Sequence, residues 1–400
     1  MNLKYYQSKT HLMKTLFKTV FLVLALSTIS CNASNKKENK ENRLAVNTPT
    51  KKDVEKQFIK IALLLDTSNS MDGLIDQAKA QLWEIVNELS YAKCEHDDPE
   101  LKIALYEYGN DRLESSDGYI RQVLDFSGDL DEISEKLFSL TTNGGSEHCG
   151  EVIQTSLNQL KWGKNKDDLK LIFIAGNEPF TQGKIDYKDA TTNAVEKDVI
   201  VNTIFCGNYN NGINGKWLDG AKLTGGDYLN IDQNKEIIHI STPYDDIIIQ
   251  LNTKLNGTYV SYGSQGYSKM RLQSAQDDNA MELEEVVAVK RAVSKSSKMY
   301  KNKSWDLVDA EKEKDFKYNK LDKKTLPKEL QNKSTEELKA YVKQKSTERM
   351  KIQKEIQKLN KKRTTYIAEK RKASSSEETL DSAMIKAIKK QAKKKNYTWK

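Results

Sequence analysis

Asp66, Ser68 and Ser70 are the side chains of this sequence whose types and spacing most clearly suggest chemistry. They occupy alternate positions in DTSNS and bring one carboxylate and two hydroxyls within five residues. Hard oxygen donors of this kind suit Mg²⁺, Mn²⁺ or Ca²⁺. A second reading of the same residues stays open: the hydroxyls cap the helix that follows, and Asp66 accepts backbone N–H groups.

The flanking elements decide where these oxygens lie. Phe58 to Leu65 is an apolar run interrupted only by Lys60. Such a run is what a central parallel strand needs when helices cover both faces of its sheet. From Leu74 to Leu89 apolar residues recur at helical spacing. The resulting strand, oxygen-rich loop and helix place the three side chains outside the carboxyl end of a strand, where open α/β sheets bind ligands. The alternation continues, with strands expected at 101–108, 119–126, 171–175, 199–205 and 227–231. Helices are expected at 130–140, 151–160, 187–197, 216–223 and 237–255. This order predicts an α/β fold, a doubly wound and mostly parallel sheet with right-handed crossovers.

Asp-x-Ser-x-Ser at the end of the first hydrophobic strand resembles the metal-ion-dependent adhesion site of von Willebrand factor A domains. The order of elements resembles that fold across residues 55–256, including its antiparallel edge strand. The resemblance implies a module without catalytic activity that binds a protein partner through a divalent cation. One coordination position is left open there for an acidic side chain of the partner. It also implies further ligands. The family's second metal loop carries a threonine after paired glycines; here Ser146 follows Gly144 and Gly145. Its third loop supplies an aspartate after the fourth strand. The matching residues are Ala175, Gly176 and Asn177, so only Asn177 or Glu178 is available to replace it. Glu147 and His148 beside Ser146 are further candidate ligands, although a lone histidine in a polar loop is more often solvated than ligating. The stretches AGNEPFTQG and ALYEYGN are similar to those of exported bacterial proteins carrying this domain.

The N-terminus points the same way. Lys14 and Lys18 precede an apolar run, Val20 to Ile29, that is too short to cross a bilayer, and Cys31 follows small or polar residues. LSTISC resembles the lipobox of bacterial lipoproteins, with Thr28 where leucine is usual. Residues 1–31 are therefore expected to be a signal peptide, Cys31 a lipidated anchor and residues 32–54 a solvated tether. The expected location is the bacterial cell envelope, with the lipid chain as the membrane contact. An oxidising compartment allows one disulfide among Cys94, Cys149 and Cys206. Cys149 with Cys206, both expected near one sheet edge, is the candidate pair, and three free thiols are the alternative.

Residues 257–400 change character. A helix is expected from Ala275 to Ser294, and Trp305, Leu307 and Val308 form an apolar anchor among lysines. Ser334 to Glu337 (STEE) and Ser375 to Glu378 (SSEE) are capping boxes. Ile352, Ile356, Leu359 and Ile367 form one narrow stripe, which predicts a helical hairpin or short coiled coil. Self-association through it would make the protein a metal-independent envelope scaffold, the alternative function. Residues 301–400 hold 30 Lys and Arg against 15 Asp and Glu, so an acidic head carries a basic tail. No aromatic stacking pattern accompanies the lysines, so nucleic acid is not an expected partner. No Gly-x-Ser-x-Gly elbow or His-Glu-x-x-His helix is present, so hydrolysis is not expected either.

Overall fold

The structure, a computed structural model, describes residues 56–94, 98–232, 239–371 and 380–399. The signal segment, Cys31, the tether and the capping box at 375–378 lie outside the described residues.

Six strands form one sheet: β1 (Phe58–Asp66), β2 (Glu100–Tyr108), β3 (Ile120–Ser127), β4 (Leu169–Gly176), β5 (Ile200–Cys206) and β6 (Tyr228–Ile231). Their order is β3-β2-β1-β4-β5-β6. All neighbours are parallel except β3, which runs antiparallel to β2 at the edge. The helices of six residues or more are α1 (Asp72–Leu89), α2 (Leu130–Phe138), α3 (Cys149–Gln159), α4 (Tyr187–Glu196), α5 (Tyr209–Asn214), α6 (Trp217–Leu223), α7 (Asp245–Asn256), α8 (Gly266–Leu283), α9 (Glu285–Lys295), α10 (Thr335–Arg371) and α11 (Leu380–Lys393).

The fold is thus a doubly wound, mostly parallel α/β sheet followed by a helical region. One sheet face carries Ile59, Ile61, Leu171 and Phe173 into a core shared with α1, α2, α7 and α9. The other carries Ala62, Leu64, Ile172 and Ile174 into a core shared with α3, α4 and Trp217. This two-sided burial is why β1 and β4 read as continuous apolar runs.

Three expectations differ from what the structure holds. Cys149 and Cys206 are free thiols. Strand alternation sends Ile204 and Cys206 to one core and Phe205 to the other, while Cys149 begins α3 on the Phe205 side, so the sheet separates the pair. The helix expected from 237 begins at Asp245, whose carboxylate accepts from the Thr242 amide at 2.9 Å and the Thr242 hydroxyl at 2.8 Å. The helix expected at 275–294 is two helices, broken at Glu284 where the backbone is extended (φ −172°, ψ 142°).

The region after 257 folds back on the sheet domain, and residues 54–400 form a single compact unit. Helix α9 packs against α1, α7 and α8; α10 against α7 and α9; α11 against α1 and β6. Of the expected stripe, Ile352, Ile356 and Leu359 are buried within the chain and Ile367 is half-buried, in place of the expected helical hairpin or short coiled coil. Ser334 and Glu337 do make their reciprocal capping bonds at the start of α10, at 2.7 and 3.3 Å. At the end of the chain, Thr398–Trp399 pairs antiparallel with Ala92–Lys93.

Candidate metal centre

Register brings the site together. Asp66 ends β1 opposite Tyr108 of β2, and Leu65 pairs with Ala175 of β4, which places Gly176 beside Asp66. Two loops are then stitched over this end: the Asn69 amide donates to the Gly144 carbonyl at 2.9 Å, and the Asn143 amide donates to the Thr67 carbonyl at 2.9 Å.

Asp66 is fully buried. Its Oδ1 accepts from the Ser68 amide at 2.7 Å, while Oδ2 has no hydrogen-bond partner. The Ser68 and Ser70 hydroxyls lie 3.2 Å apart, and the Asn177 amide nitrogen donates to the Ser70 hydroxyl at 3.0 Å. Neither hydroxyl caps the turn or the helix that follows. Of the alternative reading, only the amide bond to Asp66 is found.

The residue that closes the cluster is Glu147. Its side chain is buried against Asp66 and Ser68, and its Oε2 is also without a partner. A β-carbon on Gly109, which adopts φ +79°, would lie 2.7 Å from Glu147 Cγ and 2.9 Å from Asp66 Oδ1. That position admits only glycine. Burial, then the facing Glu147 carboxylate, push Asp66 well above the usual carboxylate range, against the pull of the Ser68 amide. Burial raises Glu147 as well, opposed by the neighbouring Asp66 and Ser68 side chains and the Glu178 backbone, while the charge of Glu178 adds to the rise.

Residues 60–214 match the model of the von Willebrand factor type A domain. The chain carries a von Willebrand factor A domain. Among solved structures, BatB from Bacteroides thetaiotaomicron is similar at 15% identity, over 44% of this chain and 90% of that one, with a TM-score of 0.34. The SpRpn10 VWA domain is similar at 17% identity, over 45% and 90%, with a TM-score of 0.33. Proximal thread matrix protein 1 from the mussel byssus, solved with zinc in its MIDAS motif, is similar at 12% identity, over 45% and 43%, with a TM-score of 0.34. No curated protein matches the chain.

Within this A domain the predicted site residues separate into an inner and an outer set. Asp66, Ser68, Ser70 and Asn177 are linked as described. Ser146 joins through its backbone, its amide donating to the Gly109 carbonyl at 3.4 Å. Glu178 is exposed; its carboxylate accepts from Gln182 at 3.1 Å and its carbonyl from the Trp217 indole at 2.7 Å. His148 faces away, with Nδ1 3.3 Å from Glu151 and its ring edge-on to Tyr119. Of the two residues beside Ser146 named as candidates, Glu147 enters the cluster and His148 does not.

The donor set suits a hard dication. Asp66 Oδ2, Glu147 Oε2 and Asn177 Oδ1 are buried oxygens with no hydrogen-bond partner. Among the described residues no group of three or more His, Cys, Asp or Glu is arranged to hold a metal; beside the two carboxylates here stand hydroxyl and amide groups. Seven acidic side chains are buried among the described residues. Five face a basic group: Glu107 with Arg121, Asp131 with Arg291, Asp168 with Lys60, Asp245 with Arg363, and Asp306 with Arg349. Asp66 and Glu147 face each other.

Proposed function

We propose that the loop end of the A domain is a divalent-cation-dependent docking surface for a protein partner, carried by a lipid-anchored protein of the bacterial envelope. A single observation carries this reading: among the described residues, two buried carboxylates share a pocket with no basic side chain, although each of the other buried carboxylates has one. An isolated buried charge is costly, so the pair must hold a proton or meet a cation from outside the chain.

Asp66, Ser68, Ser70 and Asn177 would hold Mg²⁺, Mn²⁺ or Ca²⁺, with Ser146 and Glu178 flanking them at the rim. When bound, the ion supplies a fixed positive charge with an open position that an acidic side chain of the partner completes. The chain's own part is to fix the oxygens: strand register sets Asp66, the loop-to-loop amide bonds hold Ser68, and the Asn177 amide orients Ser70. Catalysis is not part of the proposal. Burial pushes the Cys149 thiol well above its usual range, which does not suit a nucleophile.

Lipidation of Cys31 and the envelope location rest on the LSTISC segment and the tether that follows it. Assembly through a C-terminal coiled coil has less support, because the apolar stripe of α10 already packs on α7 and α9. The test is capture of envelope proteins on the immobilised chain. Specific partners should be retained with Mg²⁺, and lost both on chelation and in Asp66→Ala. Partners that survive both treatments would contradict the metal-dependent reading.

A further inference from the structure

The space that a third-loop aspartate would occupy is already filled. A β-carbon on Gly176 would lie 2.6 Å from the Tyr108 hydroxyl, 3.1 Å from the Trp217 ring and 3.2 Å from Asp66 Oδ2. The Tyr108 hydroxyl is fixed there by donating to the Ala175 carbonyl at 2.9 Å, and both aromatic residues are fully buried. No carboxylate can enter from β4 without displacing one of them. Glu147 approaches the same Asp66 from the second loop. Its stem passes where Gly109 lacks a β-carbon, and its Oε1 lies 3.6 Å from the position a Gly145 β-carbon would take. Glu147 therefore brings a second carboxylate to Asp66 from the second loop.

We propose that Glu147 is the second acidic ligand of the metal centre, supplying the carboxylate that Gly176, at the end of β4, does not. This inference rests on the metal-dependent reading above, and adds that Glu147 of the second loop would join Asp66 of the first, with Asn177 contributing from the third. Two carboxylates facing each other with no basic neighbour are what a dication would hold together, and what repels when it is absent.

The experiment is calorimetric titration of Mn²⁺ into the full chain, stripped with chelator, for wild type, Glu147→Gln and Glu147→Asp, with thermal melting of each in chelator. Removing a ligand should weaken Mn²⁺ binding by roughly tenfold or more, since even outer-shell partners cost that much. Glu147→Asp should recover part of the loss. Without metal, Glu147→Gln should melt at or above the wild-type temperature, because one of two facing carboxylates is gone. Equal affinity in wild type and Glu147→Gln would remove Glu147 from the site and leave the metal reading standing. A lower melting temperature with unchanged affinity would make Glu147 a structural group only. Absence of Mn²⁺ binding in wild type would overturn both.

Discussion

The two ends of this molecule treat buried charge in opposite ways. Where the C-terminal helices fold back on the sheet, Arg349 of α10 reaches Asp306 at 2.6 Å and Asp309 at 3.2 Å, and its guanidinium stacks 4.1 Å from the Tyr259 ring centre. Nearby, Asp277 receives Arg291 at 2.6 Å and Lys295 at 2.7 Å. At the loop end of the sheet, Asp66 and Glu147 receive neither. The helical wrap therefore carries its own counter-charges, and the loop end needs one from solution. That contrast separates buried charge that holds a fold together from buried charge kept for a ligand.

The largest effect is expected where a pair is broken. Arg349→Ala leaves Asp306 buried and unmatched, and should cost about 3–5 kcal/mol in denaturant-induced unfolding. A loss below about 1 kcal/mol would mean that the wrap tolerates lone carboxylates and would undo the comparison. Next comes cation linkage. Mg²⁺ or Mn²⁺ at a hundred times its dissociation constant should stabilise the wild-type chain by about 2.7 kcal/mol, and Asp66→Asn by much less, measured as a melting shift.

The two ends should also respond to pH with opposite sign. Asp66 and Glu147 are raised in the folded chain, so without metal it binds more protons than the unfolded chain. Their contribution is present at acid pH and falls as pH rises from the ordinary carboxylate range through the raised folded values. Asp277 is held well below its usual range; burial alone would raise it, but Lys295 and Arg291 outweigh that. Its contribution is present above the ordinary carboxylate range and is lost as pH falls toward the folded value. Lys295 itself is lowered to about 8 by burial, so the cost of burying its charge is relieved as pH rises from about 8 toward its unfolded value. Unfolding followed in chelator and again in saturating Mg²⁺ should show the Asp66 and Glu147 slope only in chelator. The smallest effect belongs to Glu178→Gln, expected to change stability by no more than about 0.5 kcal/mol in the same assay.

Much of this arrangement was legible in the residues. The apolar runs of β1 and β4 mark strands buried on both faces, and the position of Asp66, Ser68 and Ser70 follows from where β1 stops. What stayed hidden depends on contacts distant in sequence. The stripe of Ile352, Ile356 and Leu359 has the spacing of a coiled-coil seam, but it fits equally the flank of α7 and α9, and periodicity does not name the partner surface. Cys149 and Cys206 were both expected near one sheet edge; strand alternation, which decides the face, places them on opposite sides. Glu147 enters the site because Gly109, nearly forty residues earlier, leaves room for it, a relation visible only once the two loops meet.

The most direct measurement is titration of Mn²⁺ into the chelator-stripped wild-type chain and into Asp66→Asn. A metal centre at this buried pair predicts saturable binding at one site in wild type, weakened by roughly tenfold or more in the variant. No binding in wild type, or equal binding in the two chains, would contradict the claim that this buried pair awaits a metal ion.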